Sequence, residues 1–150
     1  MRKNLVAQFR YFDIMSRAQK SYAKLLEPLC RKWDLTRNEL DVLLFLANNP
    51  DFNRAVDIVN NRGLSKSHVS LSVGSLENRG MLYRQEDPAD RRTIRLKLTE
   101  AAAPIAEEGQ RAQERFLSCL HQGVTREQLE LMTEFTRKIS ENINNIEEFL

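Results

Sequence analysis

The chain has few of the residues on which disulfide-bonded and metal-bound small domains depend. Cys30 and Cys119 are its only cysteines, and His68 and His121 its only histidines. They form no CxxC or Cys/His spacing, so neither a disulfide framework nor a zinc finger is indicated. Long apolar runs are missing as well. The longest, Leu40 to Ala47, is broken by Asp41 and falls far short of the roughly 18 residues that a membrane span requires. The amino terminus starts basic but has no apolar stretch ending in the small-residue cleavage site of a secretory signal. A cytoplasmic protein without a membrane partner is therefore expected. No Ser/His/Asp or Cys/His grouping, no paired catalytic carboxylates and no glycine-rich phosphate loop is legible, so no catalytic residue, enzyme activity or cofactor is assigned.

What is present suits one globular domain with one core: 150 residues, of which 41% are apolar and 29% charged. The net charge of +2 conceals a polarised chain. Residues 1–35 carry eight Lys/Arg against three Asp/Glu, whereas residues 101–150 carry five against nine. A polyanionic partner is allowed, although the total charge alone would not suggest one.

Apolar residues from Leu5 to Leu29 recur at intervals of three and four, with one wider gap, and predict a long first helix. Thr36 and Glu39 form a capping box, with Leu35 and Leu40 as a hydrophobic staple, which starts a second helix reaching about Asn48. A short helix follows from Arg54 to Asn61, with Gly63 just past its end, where a left-handed residue is needed. Ser65 caps the next helix, whose buried stripe is Val69, Val73 and Leu76, until Gly80 stops it. The periodicity then drops to two. Ile94, Leu96 and Leu98 alternate with polar residues, and Leu82-Tyr83-Arg84 supplies a partner strand, so a β-hairpin is predicted with a charged tip at Glu86 to Arg92. Thr99 is placed to cap a helix reaching Gln122, which Pro104 in its second turn should bend. Thr125 and Gln128 form a capping box for a last helix whose apolar stripe runs from Leu129 to Leu150.

Two helices joined by a short turn and followed by a hairpin with a basic tip make a winged helix-turn-helix, the second helix of which enters the DNA major groove. The stretch from Leu76 to Arg84, then Asp87-Pro88-Ala89-Asp90-Arg91-Arg92 and Leu96-Lys97-Leu98-Thr99-Glu100, resembles the MarR family of bacterial transcriptional regulators. One departure is Ala101 or Ala102, where that family commonly has Gly. The resemblance implies a mainly α fold: a winged helix-turn-helix with an α/β wing at residues 36–100, flanked by long N- and C-terminal dimerisation helices at residues 1–32 and 100–150 of a single domain. It further implies a homodimer that binds a pseudo-palindromic operator in double-stranded DNA and usually represses transcription.

Within that frame, Lys66, Ser67, His68, Ser70 and Leu71 lie on the side of the recognition helix away from its buried stripe, where they can approach base edges and phosphates. Outside a winged helix the same residues would be an ordinary solvated face. His68 is not assigned to a metal, because the other histidine stands on a distant helix. Arg91 and Arg92 sit where an arginine can enter a narrow minor groove, with Asp90 available to hold a guanidinium. The resemblance gives Arg92 the groove-inserting role and Asp90 the bracing one. Arg54, Arg62, Arg79, Arg84 and Arg95 are candidate phosphate contacts or plain surface charges. Tyr11, Phe12, Tyr22, Trp33 and Phe45 could line a crevice for a small aromatic ligand, or simply belong to the core. Competing readings are a helical dimeric interaction module that binds no DNA, and a regulator that senses oxidants through Cys30 or Cys119. A buried, inert thiol is the default for either cysteine.

Overall fold

A computed structural model describes the backbone of residues 2–150 and the side chains of residue 6 and of residues 9–150. The chain is mainly helical: α1 (Arg2–Trp33), α2 (Arg37–Asn48), α3 (Ala55–Arg62), α4 (Lys66–Asn78), β1 (Leu82–Glu86), β2 (Ile94–Leu98), a 3-10 turn (Glu100–Ala102), α5 (Ala103–Leu120) and α6 (Arg126–Glu147). They form two compact units, Met1–Phe116 and Leu117–Leu150. The order is that of a winged helix between long helices.

The first unit is built around α2. Its predicted capping box is present: Thr36 Oγ1 accepts from the Glu39 amide at 3.2 Å, and the Glu39 carboxylate accepts from the Thr36 amide at 2.7 Å. Leu40, Val42, Leu43 and Leu44 are fully buried, which only a helix covered on several sides can achieve. From α1 come Leu26 to the core and Tyr22, Leu29, Cys30 and Trp33 to its margin; from α4 come Val69, Val73 and Leu76; from the hairpin, Leu82 and Leu96. The strands pair antiparallel, with Leu82 opposite Leu98 and Arg84 opposite Leu96.

The backbone departs from sequence expectation in four places. Helix α1 passes Pro28 and runs on to Trp33. It stops where Asp34 takes a left-handed conformation, φ 50°, and the Leu35 amide reaches back to the Cys30 carbonyl at 2.9 Å, which is how many helices satisfy their last carbonyls. Strand β1 extends two residues beyond Arg84, to Glu86. Pro104 does not bend a second turn. Helix α5 begins at Ala103, so the proline lies in the first turn, where its missing amide hydrogen would have had no intrahelical partner. Thr99 makes no side-chain cap; its hydroxyl donates to the Gly80 carbonyl at 2.6 Å, fastening the end of β2 to the turn before β1.

Close packing of α5 on α2 depends on Gly109, where an added Cβ would stand 2.3 Å from Leu44 Cδ2. In the second unit α6 has its predicted cap, Thr125 Oγ1 accepting from the Gln128 amide at 3.2 Å, but buries no residue. Met132, Phe135, Ile139, Ile143 and Ile146 stand between 36% and 56% exposed along it, and Phe149 and Leu150 lie beyond its end. Of the stripe predicted on α1, Leu26 alone is buried among the described residues; Tyr22 and Leu29 are half-buried and Leu25 is exposed. Phe9 and Phe12 are 62% and 64% exposed, and Leu5 lies outside the described side chains.

Candidate nucleic-acid interface

The expected recognition helix is α4, and its two faces are well separated. Val69, Ser72, Val73 and Leu76 are buried, while Lys66, Ser67, His68, Ser70 and Leu71 are all exposed. Ser65 starts the helix by accepting from the His68 amide at 3.1 Å, as its sequence position implied. The structure thus brings the five predicted residues onto one open surface.

Two polar links orient that helix, and neither was anticipated. The buried Glu39 carboxylate, besides capping α2, accepts a short hydrogen bond from Ser75 Oγ on α4. Burial raises the pKa of this carboxyl, but hydrogen bonds from Ser75 and the Thr36 amide outweigh that effect and leave it below its ordinary value. Arg79, just past the end of α4, donates to the Trp33 carbonyl at 2.9 Å and the Asp34 carbonyl at 2.6 Å, where α1 ends. A cation at the open carbonyls of a helix C-terminus is favourably placed. Ser75 stands 36 residues from Glu39 and Arg79 stands 45 from Asp34, so no local pattern could announce these pairs. The only sequence signal was that Glu39 occupied the capping position.

The wing is held as firmly at its base as it is open at its tip. Asp87 Oδ2 accepts from Arg95 Nε at 2.9 Å, Arg95 Nη1 donates to Asn53 Oδ1 at 3.2 Å, and the Leu96 amide donates to the Asn53 carbonyl at 2.7 Å. Asn53, between α2 and α3, is buried and ties β2 to the body; it too was missed. Hydrogen bonds from the Ala89 amide, then from Arg95, hold the Asp87 carboxyl below its usual pKa. At the tip, Asp90 does not grip the Arg92 guanidinium as expected. Its Oδ1 accepts from the Arg92 amide at 3.1 Å and its Oδ2 from Thr93 Oγ1 at 3.2 Å. Such Asx geometry closes a turn through its backbone. Asp90 therefore shapes the tip and leaves both guanidiniums uncommitted: among the described residues neither Arg91 nor Arg92 has an ion pair.

The other candidate arginines are occupied. Arg54 forms a two-point pair with Asp57, Nη2 to Oδ1 at 2.8 Å and Nε to Oδ2 at 3.1 Å, which lowers the Asp57 pKa. Arg84 pairs with Glu77 at 2.9 Å, and Arg62 lies over the Phe45 ring, 5.6 Å from its centroid. Arg54 and Arg84 thus stabilise the frame first, and phosphate contact is a secondary use.

The aromatic set divides. Phe45 is buried in the core beneath Arg62, which corrects its assignment to a ligand crevice: at its helical spacing it is packing. Tyr22 stacks near Phe116, centroids 5.3 Å apart, and its hydroxyl accepts from Gln113 Nε2 at 2.7 Å. Trp33 packs at the core margin. Tyr11 and Phe12 stand exposed on the first half of α1, with ring centroids 5.7 Å apart. Burial raises the Cys30 thiol pKa, which disfavours the thiolate that oxidant sensing needs. Cys119 is exposed.

These features are those of a known group of proteins. Residues 33–93, from the end of α1 to the wing tip, match the model of the MarR family. Over this stretch the chain is similar to the MarR family. One relative, the uncharacterized HTH-type transcriptional regulator YdgJ of Bacillus subtilis, is 25% identical over 113 residues, covering 75% of this chain and 68% of the relative. A MarR-family transcriptional regulator from Silicibacter pomeroyi shares the fold with a TM-score of 0.75 at 18% identity, over 87% of each chain. CouR from Rhodococcus jostii, solved with p-coumaroyl-CoA bound, has a TM-score of 0.70 at 19% identity, over 85% of this chain and 89% of its own. At such identities the two structures establish the fold. Among the described residues no helix is long and apolar enough to cross a membrane.

Proposed function

We propose that this chain is a MarR-family transcriptional regulator and binds double-stranded DNA as a homodimer, in which residues 36–100 read a pseudo-palindromic operator while residues 1–32 and 100–150 join the two copies. The observation that carries this reading is the contrast among its arginines. Arg54, Arg79, Arg84 and Arg95 have partners within the chain, whereas Arg91 and Arg92 project from a braced wing tip with none among the described residues. An arginine held on a shaped turn and free at its guanidinium suits insertion into a narrow minor groove. Lys66 and the exposed side of α4 suit the neighbouring major groove. A helical module with no nucleic-acid partner would have no use for this arrangement.

The exposed stripe of α6 and the exposed first half of α1 support self-association, since contiguous apolar surface of this kind is uncommon on a monomer. Release by a small ligand with aromatic character belongs to the same reading and is supported by the ligand-bound state of CouR. Tyr11, Phe12, Tyr22 and Trp33 remain its candidate contacts. Burial of Cys30 gives oxidant sensing no support. Repression in the cytoplasm completes the proposal. Its test is selection of duplexes from random DNA, followed by titration at several salt concentrations. Affinity should fall steeply with salt, with the slope reduced by about one unit for Lys66→Ala. No enriched duplex, or binding independent of salt, would overturn it.

A further inference from the structure

The least expected residue on the recognition surface is Leu71. It is 72% exposed on α4 and does not belong to the core cluster. Its neighbours on the open face are Ser67 four residues before it and Gly74 three residues after it, the spacings that share a helix face. The opposite side carries the buried Val69, Ser72, Val73 and Leu76. From Lys66 to Ser75 there is no Arg, Asn or Gln, the residues that best read guanine or adenine through paired hydrogen bonds. Serine hydroxyls can donate or accept, and discriminate weakly between bases. Lys66 and His68 supply the only long donors on this surface.

Gly74 is unusual in a related way. It sits inside a helix, where glycine is less stable than alanine, yet its backbone φ is not positive and a Cβ placed there would meet no atom within 4 Å. Neither backbone geometry nor packing within the chain calls for it. Absence of a side chain at this place lets the surface of α4 approach an external body more closely, one turn along from an exposed leucine. The only apolar group that DNA displays in its major groove is the C5-methyl of thymine.

We infer that Leu71 reads a thymine methyl in each half-site and that Gly74 permits the close approach this contact requires. This rests on the DNA-binding reading above and deepens it. The same unit exposes cations at Lys66, at the start of α4, and at Arg91 and Arg92 on the wing tip, and their charge suits a polyanion rather than a second apolar protein surface. Leu71 is thus a specificity residue whose contribution is to reject bases that lack the methyl, while the cations position the helix.

The test uses the duplexes that the wild-type protein enriches from random DNA. Each thymine is replaced singly by deoxyuridine, which keeps every hydrogen-bonding group and removes only the methyl. One position per half-site should weaken wild-type binding by about threefold to tenfold, the range expected for one buried methyl. Leu71→Ala should lose the same factor on the thymine duplex and be indifferent to the replacement, as a double-mutant cycle requires of a direct contact. Gly74→Ala should keep or raise the melting temperature while binding the enriched duplexes more weakly. If every thymine tolerates deoxyuridine, or if Leu71→Ala still prefers thymine, the inference is overturned and DNA binding stands. Full affinity in Gly74→Ala overturns the close-approach part alone. If no duplex is enriched, the DNA-binding reading fails and takes this one with it.

Discussion

Helices α2 and α6 begin alike and end in opposite environments. Each opens on a threonine whose side chain caps the third helical amide, and the residue bearing that amide, Glu39 in α2 and Gln128 in α6, reaches back to the cap. Each also carries apolar residues at helical spacing. Yet α2 buries seven residues and α6 none. A stripe in a sequence identifies the side of a helix that avoids water, but says nothing about which surface covers it. For α2 the cover is the rest of the first unit; for α6 we propose a second copy of the chain.

Substitutions on the two helices should separate these roles, and the largest effect is expected in α2. Leu43→Ala removes a fully buried side chain and should lower unfolding stability by about 2 to 5 kcal/mol in urea titrations. The corresponding change on α6, Ile139→Asp, should leave the far-ultraviolet spectrum nearly intact and convert a dimer to monomer in analytical ultracentrifugation. A dimer unaffected by Ile139→Asp would leave the α6 stripe without its proposed cover.

A second contrast lies between glycines. Gly109→Ala drives a methyl into Leu44 and should cost about 1 to 3 kcal/mol through overpacking, read as a lower melting temperature. It should do so even though alanine is the better helix former; an unchanged melting temperature would mean that Leu44 moves aside freely.

The arginines give a third contrast. Arg92→Ala should weaken operator binding by about 1 to 3 kcal/mol with no change in stability, and Arg91→Ala should matter less. Arg79→Ala should do the reverse, lowering stability by about 1 kcal/mol through lost bonds to the α1 carbonyls. The Asp90 bond to the Arg92 amide implies that Asp90→Ala loosens the wing tip and shows part of the Arg92 loss. If Arg91→Ala proves the more damaging, the register of the wing is off by one residue.

The smallest expected effect is in pH dependence. The Glu39 carboxyl, lowered by Ser75 and the Thr36 amide against the effect of burial, contributes stability that is present above its unfolded pKa of about 4.3 and lost as pH falls through the lower folded value. Glu39→Gln should therefore flatten the acid side of the stability curve and reduce stability at neutral pH. Equal pH slopes for wild type and variant would remove Glu39 from that role. Asp57, lowered by Arg54, acts in the same sense.

Much of this molecule could be read from short stretches of chain. Caps at Ser65, Thr36 and Thr125, the glycines at Gly63 and Gly80 with φ of 64° and 71°, and the change of period after Gly80 set the order of elements, because each depends on neighbours within a few residues. The five exposed residues of α4 followed from the same helical spacing. The Arg92 brace was misread for a reason of scale: a carboxylate two residues before an arginine reaches its backbone amide more easily than a guanidinium at the end of a long side chain. The division of labour among arginines was not legible at all, since pairing at Arg79 and Arg95 depends on groups 45 and 42 residues away.

The sequence by itself determined the order of helices and strands, which side of each is apolar, and that a basic turn follows a helix-turn-helix. Local hydrogen bonds and side-chain periodicity act over a single turn and need no distant partner. Tertiary structure alone decided that Phe45 is core, that α1 runs past a proline to end on a left-handed Asp34, that Glu39 holds α4 as well as capping α2, and that Arg91 and Arg92 stay uncommitted when their neighbours do not. Each of these depends on which groups meet once the chain is folded, and burial and pairing are properties of that meeting, not of the residue.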